Sequence, residues 1–174
     1  TTSLHRIEDP VTRGPALITV WESMLEGRVA PSSVLEMLLT ALPHEDVELT
    51  LNEMLGYLGD AFWRFTPPER RASAAPRIER VLRQGLDGAG STSTKASWFN
   101  AIENVATTSE TLTWLERVWR RDEAVPGLRL SENDESQLAL ELAVRGVANA
   151  EAILDAQHAR IQSPDRKARF AFVM

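Results

Sequence analysis

The chain has 174 residues, 43% hydrophobic and 25% charged, which is ordinary globular composition and enough for one domain with a real core. A formal net charge of −6 argues against nucleic acid or an anionic lipid surface as the main partner. There is no cysteine, hence no disulfide frame and no thiolate metal site, and no apolar run approaches the ~18 residues of a membrane span.

Residues 1–14 have mixed polarity, with Pro10 and Gly14, and read as a lead-in. The spacing of Leu17, Ile18, Trp21, Met24 and Leu25 predicts a first helix over 15–26, closed by Gly27. Pro31 opens a second helix carrying Val34, Leu35, Leu38, Leu39 and Leu42 up to Pro43. A third helix, 47–65, is expected to be capped by Asp46 and to turn Leu51, Met54, Leu55, Leu58, Phe62 and Phe65 inward. Gly56 and Gly59 interrupt that pattern at a cost of ~1 kcal/mol each against alanine, so they are expected to let a neighbouring helix approach closely. The run Thr66-Pro67-Pro68-Glu69 has the residues of a capped, proline-led helix start, followed by Ile78, Val81, Leu82 and Leu86.

Residues 87–94 (DGAGSTST) are small, polar and glycine-rich and read as a flexible loop. A fifth helix holds Trp98, Phe99, Ile102 and Val105. A break at 107–109 recaps a sixth with Leu112, Leu115, Val118 and Trp119, whose last turn carries Arg117, Arg120 and Arg121 near the negative helix end. In the stretch 131–174, Ser131 stands before Glu132, Asp134 and Glu135, a cap and three acids at one helix start, and Gly146 and Asn149 end that helix. Another helix over 150–162 is expected to place Ala152, Ile153, Ala156 and Ile161 on its apolar side. Ser163-Pro164-Asp165 starts a last helix that runs from basic to apolar without a closing cap, which predicts an array continuing past 174. The total is about nine helices with almost no strand alternation, so the predicted fold class is all-α, an α-solenoid of antiparallel helix pairs of the HEAT or armadillo type over a single domain 1–174 or a fragment of one. No clean sequence period is present, and a helical bundle fits the same pattern.

Candidate chemistry is sparse. His44-Glu45-Asp46-Val47-Glu48 resembles the start of a zinc-protease HExxH, but Glu48 stands where the second histidine belongs, and helix capping is the favoured reading. His5 and His158 are lone residues, read as surface or interface. Gly85, Gly88 and Gly90 lack the lysine and hydroxyl of a phosphate loop. Trp21, Trp63, Trp98, Trp114 and Trp119 lie in helix patterns and read as packing rather than as a stacking platform. Arg70, Arg71, Arg77, Arg80 and Arg83 form either a cationic strip for an acidic ligand or a solvated face balanced by Glu69 and Glu79; the solvated face is favoured, and Arg166, Lys167 and Arg169 are read the same way. No residue is assigned a catalytic, cofactor-binding or metal-ligating role.

Three segments carry a family resemblance: residues 13–24 (RGPALITVWESM) with the turn 27–31 (GRVAP), residues 128–146 ending LAVRG, and residues 163–174 (SPDRKARFAFVM). Together they resemble the C-terminal helical domain of the zinc aminopeptidases (gluzincin metallopeptidases), the family of the membrane alanyl, puromycin-sensitive and endoplasmic-reticulum enzymes. Ser136 and Gln137 depart from the arginine and tryptophan often found there in the family. The family's HExxH helix and its G-A-M-E-N segment are absent from this sequence, so no catalytic residue carries over. The resemblance implies a non-catalytic domain that encloses the substrate cavity and restricts peptide access. Its partners would be its own catalytic domain, which holds the zinc, and the peptide substrate; the chain alone is expected to be inactive. The alternative is a free-standing HEAT-like interaction scaffold.

Overall fold

A computed structural model describes residues 4–174, and these form nine α-helices and two short 3-10 turns, with no strand among the described residues. The all-helical class expected from the periodicity is the class observed. The chain divides into two compact units, Thr1–Val105 and Ala106–Met174.

The first unit contains α1 (Pro10–Leu25), α2 (Pro31–Ala41), α3 (Glu48–Arg64), α4 (Pro68–Gly88) and α5 (Thr92–Val105). Helix α3 packs against both α1 and α5, α2 packs against α1 and α3, and α4 packs against α5. Such contact between near neighbours in the chain is what a repeat-like helical fold requires. Leu17, Met54, Leu58, Phe62, Ile78, Leu82 and Ile102 are fully buried at the centre of this unit.

Several boundaries differ from expectation for identifiable reasons. The predicted lead-in is shorter than expected: α1 starts at Pro10 because Asp9 accepts hydrogen bonds from the backbone N–H of Val11 and Thr12. Pro15, the predicted start, lies inside this helix. Residues 1–3 of that lead-in lie outside the described residues. Asp46 does not cap α3; instead Glu45 accepts from the Val47 N–H at 2.9 Å. Nor does Thr66 cap α4, because its hydroxyl donates back to the Ala61 carbonyl and closes α3. The predicted loop 87–94 shrinks to 89–91, since α4 runs through Gly88 and α5 begins at Thr92. Ser91 and Thr94 exchange backbone–hydroxyl hydrogen bonds there, a reciprocal arrangement that starts α5 early. Ile18 and Leu25, read as core-facing, are exposed.

In the second unit, α6 (Ser109–Arg120), α7 (Glu132–Val144), α8 (Ala150–Arg160) and α9 (Pro164–Val173) each pack against the next. The terminal signals here act as read. Thr108 caps α6, Ser131 and Asp134 form a full capping box on α7, and Ser163 caps α9 with Pro164 at its first position. Gly146 closes α7 at φ +69°, in the left-handed region. The α8 register departs from expectation: Ile153 and Gln157 are buried, while Ala152 and Ala156 are exposed.

Candidate functional site

A cleft of about 710 Å³ opens between α3 and α5 of the first unit. The α5 wall contributes Ser97, Asn100 and Asn104, successive side chains of one helix face, and the α3 wall contributes Asn52, Gly56, Asp60 and Trp63. Asn52 and Asn100 are exposed and make no side-chain hydrogen bond among the described residues. Trp63 is half-buried at one end, fixed by its indole N–H donating to the Asn104 carbonyl at 2.8 Å.

The two glycines of α3 play different parts. A Cβ on Gly59 would lie 2.9 Å from the Asn104 side-chain oxygen, so this glycine admits α5, as expected. A Cβ on Gly56 would meet nothing within 4 Å, so here the expectation of close helix approach is not met. The bare backbone at Gly56 enlarges the cleft instead.

Charge in the cleft is mildly negative. Asp60 pairs with Arg64 at 3.1 Å, and Glu53 accepts the Tyr57 hydroxyl at 3.0 Å, leaving one carboxylate in excess of the guanidinium. Burial, then the Glu53 hydrogen bond, then the nearby charges of Glu53 and Glu22 push the Tyr57 phenol up to about 12. The Tyr57 ring is stacked on Trp21 with centroids 4.2 Å apart. A neutral phenol held this way is a donor and a packing surface, not a base at neutral pH.

The residues singled out from the sequence go elsewhere. Glu45 of the HExxH-like segment is sealed (side chain 1% exposed) in a two-pronged pair with Arg13, at 2.8 and 2.9 Å. That pair, with the Val47 N–H, occupies both Glu45 oxygens, and the Arg13 guanidinium is held protonated above its usual range, chiefly by the Glu45 hydrogen bond. This donor set does not fit a zinc ion. His44 ends a 3-10 turn and lies against the ring of His5, centroids 5.5 Å apart, so these two histidines distant in sequence are neighbours in the fold. Among the described residues no group of three or more His, Asp or Glu is placed to hold a metal, and no helix is long and apolar enough to cross a membrane.

The arginines of α4 do not act as one strip. Arg77 grips Glu36 with distances of 2.5 and 2.7 Å, and Arg71 donates to the carbonyls of Thr66 and Trp63 while lying over the Trp63 ring. Arg166 pairs with Glu132 at 3.2 Å. Trp21, Trp98, Trp114 and Trp119 are buried as read. Trp119 donates to Gln157, which donates in turn to Ser136, and Arg160 lies 4.3 Å over the same indole. Gly85 is filled by Trp98, whose ring lies 2.6 Å from the position of an added Cβ.

The cleft itself was missed by the sequence reading. Asn52 and Asn100 lie far apart in the chain, and only the pairing of α3 with α5 across α4 brings them together. The available signals were Gly56 and the Asn100/Asn104 spacing of four. Searches of family models and of curated proteins find no match to this chain.

Proposed function

We propose that this chain is a non-catalytic helical domain of a zinc-dependent aminopeptidase, walling the substrate cavity and restricting which peptides reach a catalytic domain outside these residues. One observation carries the reading. The segments that resemble the family coincide with helix boundaries set by their own residues. Residues 27–31 form the α1–α2 turn with Gly27 at φ +75°. Residues 128–146 hold the α7 capping box and its left-handed closing glycine. Ser163-Pro164 caps α9. A wall contributes to catalysis by excluding water and by letting binding energy act on a positioned peptide. Zinc chemistry belongs to the catalytic domain, and no step of it is assigned here.

The test has two arms. The pure chain, assayed on aminoacyl-anilides with added zinc, should show no turnover, and the same reading frame should encode an HExxH motif upstream. Clear turnover, or a complete reading frame without that motif, would overturn the proposal. The second outcome would favour a free-standing HEAT-like scaffold for a protein partner, a reading supported by the open cleft on the first unit.

A further inference from the structure

The outer face of α1 is apolar where a surface helix is normally charged. Val11, Ile18 and Leu25 are 81%, 38% and 56% exposed, and they stand seven residues apart. From Pro10 to Trp21 the only charged side chain is Arg13, which is buried against Glu45. Gly14 lies in the same stripe, three residues after Val11 and four before Ile18, and a Cβ there would meet nothing within 4 Å. Charges return only at the ends, with Glu8 and Asp9 before the helix and Glu22, Glu26 and Arg28 at and beyond its close. An apolar centre with a charged border is the anatomy of a protein interface.

The spacing selects the occupant. A seven-residue repeat stays in line only against a second helix crossing at about 20°, so the occupant is a helix laid along α1 for about 21 Å, from Val11 to Leu25. Among the described residues no other helix carries such a stripe; Leu49 on α3 and Val144 on α7 stand alone. Helix α1 also complements itself. In an antiparallel pair about a two-fold axis, Ile18 of each copy can seat on the bare backbone of the partner's Gly14, so each helix supplies one knob and one hole. That register sets Glu22, which forms no ion pair among the described residues, beside the first turn of the partner's α1, the positive end of its dipole. A parallel pair would instead bring Glu22 against its own copy and align the two dipoles.

We propose that α1 is a self-association surface, on which two copies of this chain pair antiparallel through Val11, Ile18 and Leu25, with Ile18 seated on the partner's Gly14. The contact is a single helix pair, small beside the roughly 1,200 Å² at which stable interfaces begin, so the dimer is weak, with a Kd on the order of 10–100 µM. The proposal goes beyond the aminopeptidase reading and does not rest on it.

Sedimentation equilibrium of the 174-residue chain, from about 5 to about 500 µM, tests it. The mean mass should climb from 19.4 kDa towards twice that value. Val11→Glu and Ile18→Glu should each weaken association at least about tenfold, because each buries an unpaired charge in the contact. Gly14→Leu fills the hole and should weaken it as much, while its urea midpoint stays equal or higher. Should Ile18→Glu fail to fold, the other two variants decide the matter, since the Val11 side chain is mostly exposed and an acid suits a first helical turn. Val144→Glu, an equally exposed change on α7, should leave association untouched. A mass that stays at 19.4 kDa at the highest concentration, association indifferent to Val11→Glu and Gly14→Leu, or an equal loss with Val144→Glu would each overturn the proposal. The aminopeptidase reading fails on a different observation, the upstream reading frame, so the two failures are distinguishable.

Discussion

Gly56→Ala and Gly85→Ala make the same chemical change inside two helices of one unit, and they should move stability in opposite directions. Both gain the same backbone propensity, roughly 1 kcal/mol. At Gly56 nothing opposes it, so the alanine variant should be more stable by about 0.5–1 kcal/mol. At Gly85 the new methyl would stand 2.6 Å from Cδ2, Cε2 and Cε3 of Trp98. Carbon atoms rest near 3.5–4.0 Å, so the indole must retreat by about 1 Å. Trp98 is buried, 5% exposed, so its retreat disturbs the packing around the ring. Overpacking of this kind costs about 1–3 kcal/mol. Since the propensity gain is common to both variants, the difference between them isolates the overpacking cost and should be about 1–3 kcal/mol. Urea unfolding followed by far-ultraviolet circular dichroism measures it. Two variants of equal stability, within about 0.5 kcal/mol, would refute the reasoning.

Arg13→Met strands the sealed Glu45 carboxylate and should cost about 3–5 kcal/mol, and Arg13→Met with Glu45→Leu should recover much of that in a double-mutant cycle. A single-variant loss below about 1 kcal/mol would show the pair to be unimportant. Tyr57 is the one tyrosine in the sequence, so absorbance near 295 nm reports it alone; its midpoint should lie at about 12 in the folded chain and near 10 in guanidinium. Because the folded value is raised, the associated stabilisation is complete below pH 10 and lost as pH climbs towards 12, and Glu53→Gln should lower the midpoint only part of the way, burial being the larger cause. Gln157→Ala leaves the buried Trp119 indole N–H without its acceptor and should cost about 1–3 kcal/mol in a urea titration, with Ser136→Ala costing less.

Local chemistry was legible in the sequence wherever a cap and a proline stood together. Ser163-Pro164 and the Ser131/Asp134 box were read correctly because a helix start is written within four residues. Asp9-Pro10 carries the same signal and sets the start of α1 ahead of Pro15, which lacks a preceding cap. Thr66 shows the limit of such reading: a hydroxyl before a proline can serve the helix it ends as well as the one it precedes. What the sequence does not display is pairing at a distance. Arg13 finds Glu45 thirty-two residues on, and His5 finds His44, only once α1 and α2 have packed. The cleft is further removed still. Its two walls are consecutive in space but not in sequence, and the longest helix of the first unit separates them in the chain. Gly56 stands out in the sequence as a glycine inside a helix pattern, but whether its missing side chain admits a helix or leaves a gap depends on what faces it.

Four of the five tryptophans are 8% exposed or less, while Trp63 stands half-open at the rim of the α3–α5 cleft. The chain therefore carries its own optical probe at the place that matters. Iodide in solution should dim this indole and leave the sealed four bright. Whatever settles into the cleft should shield it, so occupancy can be followed without attaching a dye.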